Sequence, residues 1–330
     1  MENKPIKVRL SPRSFSKALR LGAILFLFLL ATLATASFLG SEHLSLFDLN
    51  EQQRAIFYDI RFPRILLGAC VGASLAVAGA GLQSLLRNPL AEPYLLGVSN
   101  GAALGTMLAF VFFDQFDFAR PLMAFGGAAL ASFAVYQMAK SRAGMNVERL
   151  VLSGVIVTTF LSSIIVFLTS LLDATKVRSF TFWLLGDLSQ ATRNGFYLSL
   201  AAVVVATLVL TWQARALNLM MVGERDALDF GVEVNRVRWL VFGSASLVVG
   251  AAVAASGSVG YVGLIVPHLV RMSVGSDNRF VIPFSALAGA IFVVCADTIA
   301  RTVIAPRELP VGAVTALVGA PMFIYLLRRQ

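Results

Sequence analysis

Apolar residues come in long runs along this 330-residue chain. Residues 21–38, 62–82, 95–113, 121–139, 150–172, 196–212, 239–255, 281–296 and 311–327 are each mostly apolar. A helix crossing a hydrocarbon core needs about 20 such residues, within a range of about 17–25. A tenth segment, Val262–Met272, lies between two of these runs and is too short to cross unaided. The pattern predicts an all-α, polytopic membrane protein with about ten helices in one domain, residues 1–330.

Polar groups interrupt this pattern at a few places, and polar groups inside a bilayer are expensive enough to mark function. Between the second and third runs stands RNPLAEP (87–93), where Pro89 and Pro93 remove backbone donors and end helices. Residues 86–92 are therefore expected to form a tight turn. Beyond it Gly97, Gly101 and Gly105 recur at every fourth residue, giving a smooth helix face for close packing. Arg61-Phe62-Pro63-Arg64 opens the second run. Its guanidinium groups either snorkel to headgroups or present positive charge to an external protein. Asp297 and Arg301, one helical turn apart, allow a structural ion pair or a functional one equally. Thr158, Thr159, Ser162, Ser163, Thr169 and Ser170 dot the fifth run. They either bond back to their own helix or line a pathway.

The longest polar stretch, 214–238, keeps helical apolar spacing at Leu217, Met220 and Met221 and then at Ala227, Leu228 and Phe230. An amphipathic element of this kind needs cover from a membrane surface or a partner's groove. Its mixed charges (Glu224, Asp226, Asp229 and Glu233 beside Arg225 and Arg236) favour a protein partner over anionic lipid.

Composition supports the membrane assignment: 58% of residues are apolar and 14% charged, against about 25% charged in a soluble domain. The net charge of +9 raises the question of nucleic acid, but the positions answer it. Ten crossings from a cytoplasmic N-terminal tail (1–20) put 85–92, 140–149, 214–238, 271–279 and the C-terminus on the tail's side. Eighteen of the 27 Lys and Arg residues then lie on that side. This positive-inside bias predicts both termini in the cytoplasm of a multi-pass inner-membrane protein, with no nucleic-acid role. Ala34-Thr35-Ala36 imitates a signal-peptide cleavage site, yet the segment equally suits a first membrane helix, which is the expectation adopted. Cys70 and Cys295 both fall within apolar runs and are expected to be packing residues.

Metal-ligand and phosphate-loop motifs are missing from the sequence. There are two histidines, no HExxH and no GxxxxGK[ST] phosphate loop. Transport is the default, with no metal or cofactor held by this chain, and its energy must come from a gradient or a partner.

Taken in order, RFPR (61–64), GASLAVAGAGLQ (72–83), RNPLAEPYLLGVSNGAALG (87–105), LNLMMVGERDALDFGV (217–232), GSVGYVGLIVPHLVRM (257–272), ADTIAR (296–301) and ELPVGAVTALVGAPMFIYLL (308–327) resemble the FecCD/cobalamin-type permeases. These are the membrane subunits of ABC importers for iron–siderophore chelates, haem and cobalamin. The resemblance implies the type II ABC importer permease fold, with ten helices per subunit, Val262–Met272 as a short eighth helix, and a homodimer enclosing the path. It further implies two ATPase subunits holding ATP and Mg on the cytoplasmic side, and a periplasmic or lipid-anchored binding protein on the other. Gly223, Glu224, Ala227 and Gly231 would couple to the ATPase. Arg61, Arg64 and Arg301 would receive acidic residues of the binding protein. Asn88 and Leu90 would lie at the inner mouth of the path, and Thr159, Ser162 and Ser163 along it. At 144–148 the chain reads GMNVE, where cobalamin-type members carry a small hydroxylated turn. The alternative is an ATP-independent secondary transporter or channel.

Overall fold

The structure, a computed structural model, describes residues 12–40, 50–113, 115–116, 118–141 and 144–328. Most of the tail expected over 1–20 lies outside those residues. In chain order the helices are α1 (Pro12–Phe38), α2 (Glu51–Ala55), α3 (Phe62–Leu86), α4 (Val98–Phe112), α5 (Ala119–Ala139), α6 (Val147–Thr169) and α7 (Ala174–Leu184). They continue as α8 (Arg193–Trp212), α9 (Ala214–Val222), α10 (Glu224–Asp229), α11 (Val234–Ser256), α12 (Val262–Val274), α13 (Asn278–Thr302) and α14 (Val311–Leu327).

Seven of these stretches are long and apolar enough to span a membrane, and α4, α12 and α14 are shorter apolar helices. Together they are the ten segments expected. A π-helical turn, Ile56–Arg61, fuses α2 to α3, so the second crossing runs from Glu51 to Leu86. Sequence patterning missed α7, an amphipathic helix outside the spans that Asp173 caps by accepting from Thr175 N and Lys176 N. It also missed the short hairpin of β1 (Lys140–Ser141) with β2 (Gly144–Met145). That hairpin precedes α6, whose cap is Asn146, accepting from Arg149 N.

Helix α3 is the centre of the bundle, with 83% of its apolar window buried. Its neighbours are α13, α11, α8 and α12. It can be surrounded on every side because small residues remove its bulk. A Cβ on Gly72 would collide with the Gly289 carbonyl of α13, and one on Gly79 with the Gly263 carbonyl of α12. In lipid, where water drives no helix association, such close backbone approach supplies the van der Waals packing. The glycine face of α4 does the same work, since Gly101 meets Gly127 and Gly105 meets Met123 of α5. Gly97 stands apart: at φ +72° it caps the helix instead of packing along it.

Candidate functional site

The bundle carries polar structure at its two ends and along one line between them. The first end is built around Arg64. Its guanidinium donates to Asp297 Oδ1 from Nε at 3.0 Å and Nη2 at 2.9 Å, and from Nη1 to Glu308 Oε2 at 2.7 Å. Asp297 Oδ2 meets Arg301 Nε at 3.0 Å. Glu308, Arg64, Asp297 and Arg301 thus form a chain of alternating charge. Arg64, Asp297 and Arg301 are 6%, 2% and 4% exposed. The last turn of α1 closes this cluster. Arg61 donates to Ser37 O at 3.2 Å, and Arg301 to Ala36 O and Leu39 O at 3.4 Å. These are carbonyls that a helix C-terminus cannot satisfy itself, and its dipole favours cations there. All three arginines expected to face a partner are therefore buried in this arrangement, and the Asp297–Arg301 pair is one link of a larger network. A cavity of about 170 Å³ opens beside it, lined by Arg64, Asp187, Ser189 and Glu308 among others.

At the opposite end α9 and α10 lie across the bundle. Asn218 of α9 donates to Asp277 Oδ1 at 2.7 Å and accepts from Asn278 N at 2.9 Å, which fixes α9 to the start of α13. The Asp277 carboxyl sits below the ordinary carboxylate range. Burial pushes it up, but hydrogen bonds from Arg279 and Asn218 outweigh that. In α10, Glu224 Oε2 accepts from Arg238 Nη2 at 2.7 Å and lies 3.7 Å from Arg87 Nη2. Ala227 is fully buried, so it seats α10 on the bundle and is not part of the outer surface. Gly231 is exposed, as are Val222, Leu228 and Phe230, at 78%, 55% and 60%. Leu228 and Phe230 entered the sequence reading only as helical spacing, and their outward direction depends on which face Ala227 buries.

Arg87 starts the line between the ends. It closes α3 in the left-handed conformation at φ 50°, and Asn88 Oδ1 then accepts from Leu90 N at 2.9 Å. Asn88 and Leu90 are exposed in the expected turn. After the turn the chain does not begin the third helix at once. A 3-10 turn, Pro93–Leu96, re-enters the bundle, with Pro93 beside Gly263 and the Leu95 carbonyl against Gly154 of α6. There Glu92 Oε1 accepts from Tyr261 N at 3.0 Å. The Tyr94 hydroxyl donates to Val259 O at 2.9 Å and accepts from Val259 N at 2.8 Å. Sequence reasoning took Glu92 for a residue of the cytoplasmic turn. Only the re-entrant path of 92–96 brings its carboxylate to the first turn of α12.

The hydroxyls of α6 divide into two sets. Thr159 and Ser163 lie on an exposed face with Ile156, Phe160 and Phe167, and Ser163 donates back to Thr159 O at 3.0 Å. Ser162 turns toward α4, where Asn100 Nδ2 donates to its Oγ at 2.6 Å and to Thr158 O at 3.0 Å. Ser162 is thus engaged in helix–helix contact, apart from Thr159 and Ser163. Asn100→Ala removes both bonds, and we expect it to lower stability by about 1–3 kcal/mol. The thermal unfolding midpoint in detergent checks this, with Ser163→Ala as the neighbour that changes little.

Among the described residues, no group of three or more His, Cys, Asp or Glu side chains could hold a metal ion. Comparison with known proteins adds four findings. The model of the FecCD transport family matches residues 22–329. A cobalamin import system permease protein, BtuC of Halobacterium salinarum, is 44% identical over 282 residues, covering 86% of this chain and 76% of that protein. A hemin transport system permease protein, HmuU of Yersinia pestis, is 36% identical over 332 residues, covering 98% and 97%. Among solved structures, an inward-facing conformation of a provisionally assigned metal-chelate type ABC transporter aligns with TM-score 0.83 and 33% identity. That alignment covers 94% of this chain and 99% of that one. The fold is the type II ABC importer permease fold, and the chain belongs to the FecCD transport family.

Proposed function

We propose that this chain is the permease subunit of a binding-protein-dependent ABC importer, moving a bulky metal chelate of the iron–siderophore, haem or cobalamin class. The observation that carries the reading is α9 with α10. This pair is too short to cross a membrane, is pinned to the bundle by Asn218 and Glu224, and presents Val222, Leu228 and Phe230 outward. An apolar face of that kind, ringed by both charge signs, suits a protein groove. An ATPase subunit that holds ATP and Mg would occupy it, with Gly223, Glu224 and Gly231 at the contact and Ala227 behind it. The Lys and Arg distribution supports an orientation with this end and both termini in the cytoplasm.

A second copy would cover the exposed α6 face, putting Thr159 and Ser163 in a path along the dimer axis, with Asn88 and Leu90 at its inner mouth. The hydroxyls offer weak, sequence-tolerant contacts, which suits a conduit that must release its cargo. Selection would then fall to a periplasmic or lipid-anchored binding protein docking at the Arg64 end. In that docking an incoming carboxylate would reach Arg64 only by taking the place of Glu308, whose side chain is 39% exposed. Arg61 and Arg301 would hold the surface from beneath.

The test is assembly. Leu228→Asp with Phe230→Asp should reduce capture of the cognate ATPase at least tenfold, while the permease elutes as before. Central apolar anchors commonly each contribute about 2 kcal/mol or more to an interface. Undiminished capture would remove α10 from the contact.

A further inference from the structure

Residues 87–94 touch two separate parts of the molecule. At one end Arg87 faces Glu224 of α10 at 3.7 Å, and Arg238 at 2.7 Å keeps that carboxylate aimed. At the other end Glu92 and Tyr94 hold the backbone of Tyr261 and Val259, where α12 begins. Tyr261 in turn lies against Gly319 of α14, where an added Cβ would strike its ring. Helix α14 exposes Leu317 at 74% and Val318 at 46%.

The segment between these grips is braced internally. Asn88 accepts from Leu90 N through its side chain and from Ala91 N through its carbonyl at 3.1 Å. Leu95 N donates to Glu92 O at 3.1 Å. Pro89 and Pro93 fix two further φ angles. A strut of this kind transmits displacement where a slack loop would absorb it. The grips also differ. Arg87 and Glu224 are 42% and 41% exposed, an ion pair that forms and breaks at little cost. Tyr94 is half-buried, and its hydroxyl bonds both the carbonyl and the N–H of Val259, a hold that persists.

We propose that residues 87–94 form a transmission arm carrying displacement of α10 to α12 and α14. Arg87 is the positioning residue at the input, and Tyr94 with Glu92 grips the output. The inference rests on the importer reading above and adds an internal route by which displacement of the ATPase-facing helix would reach α12 and α14.

The order of events along the arm is testable in the assembled importer. In a Cys70→Ser/Cys295→Ser background, spin labels at Leu90→Cys report the arm and labels at Leu317→Cys report α14. Each is measured as the distance between the two copies, with and without ATP. In the parent both distances should change with nucleotide. Arg87→Gln should abolish the change at both sites. Tyr94→Phe, which removes one oxygen and little volume, should keep the change at 90, lose it at 317, and lower uptake at least tenfold while ATP hydrolysis continues. Arg87→Lys should restore the parent pattern. A change at 317 that survives Tyr94→Phe, or one at 90 that survives Arg87→Gln, overturns the arm. A parent chain that recruits no ATPase and shows no nucleotide response at either site overturns the importer reading itself, and the arm with it.

Discussion

Replacing Asp297 with alanine should destabilise the protein by about 3–5 kcal/mol, the range for breaking a buried ion pair from one side. Asp297 is 2% exposed and stands between two guanidinium groups that are themselves 6% and 4% exposed. Its removal leaves Arg64 with Glu308 alone, and leaves Arg301 beside another cation in a setting with little water. The reverse change, taking out the whole network in favour of packed apolar groups, need not be costly, because burying charge is expensive in the first place. The penalty therefore belongs to two buried arginines that have lost a shared carboxylate. Asp297→Asn, which keeps volume and one acceptor, should fall between the parent and Asp297→Ala. Unfolding midpoints in detergent give the ranking. Were these arginines held loosely for a partner, Asp297→Ala would leave the midpoint where it is and change only binding-protein affinity.

Gly79→Leu should be more damaging still, leaving little or no folded protein. The residue sits in α3, the helix around which the bundle is built, and a Cβ there would overlap the Gly263 carbonyl. Backbone cannot yield as the end of a side chain can. The helices must separate, and the loss extends to the Gln83 side chain, which donates to Gly263 O at 3.2 Å and Leu264 O at 3.1 Å. Overpacking by a few methylenes costs about 1–3 kcal/mol where neighbours can shift, and here they cannot. Gly126→Ala is the control, since a Cβ at that position meets nothing within 4 Å. The yield of monodisperse protein should collapse for Gly79→Leu and hold for Gly126→Ala.

What was legible in the sequence follows from what a bilayer demands. Hydrocarbon requires apolar runs, so the ten apolar segments stand out directly, seven of them long enough to span and Val262–Met272 among the shorter ones. Proline and glycine also act locally, which is why the turn at 86–92 and the packing face of Gly101 and Gly105 were visible. Direction was not. A helix such as α3, apolar all round, carries no moment to say which neighbour each side meets. Arg64 and Glu308 are 244 residues apart, and nothing in either segment announces the pairing. The same limit hid the burial of Ala227, the turn of Ser162 toward Asn100, and the re-entry that carries Glu92 to Tyr261. The resemblance of motifs named the family without fixing those contacts. Arg61, Arg64 and Arg301 show the difference best, because their type and order match the motif while their environment here is interior.

Drive by an ATPase partner, as opposed to a gradient of the chain's own, is tested by transport. Proteoliposomes would hold the chain with its cognate ATPase, with ATP and Mg inside and the loaded binding protein outside. Uptake of the labelled metal chelate should require all three and stop when ATP is replaced by a non-hydrolysable analogue. Uptake by the chain alone, driven by a proton or sodium gradient without nucleotide, would make it a secondary transporter and not an ABC importer subunit.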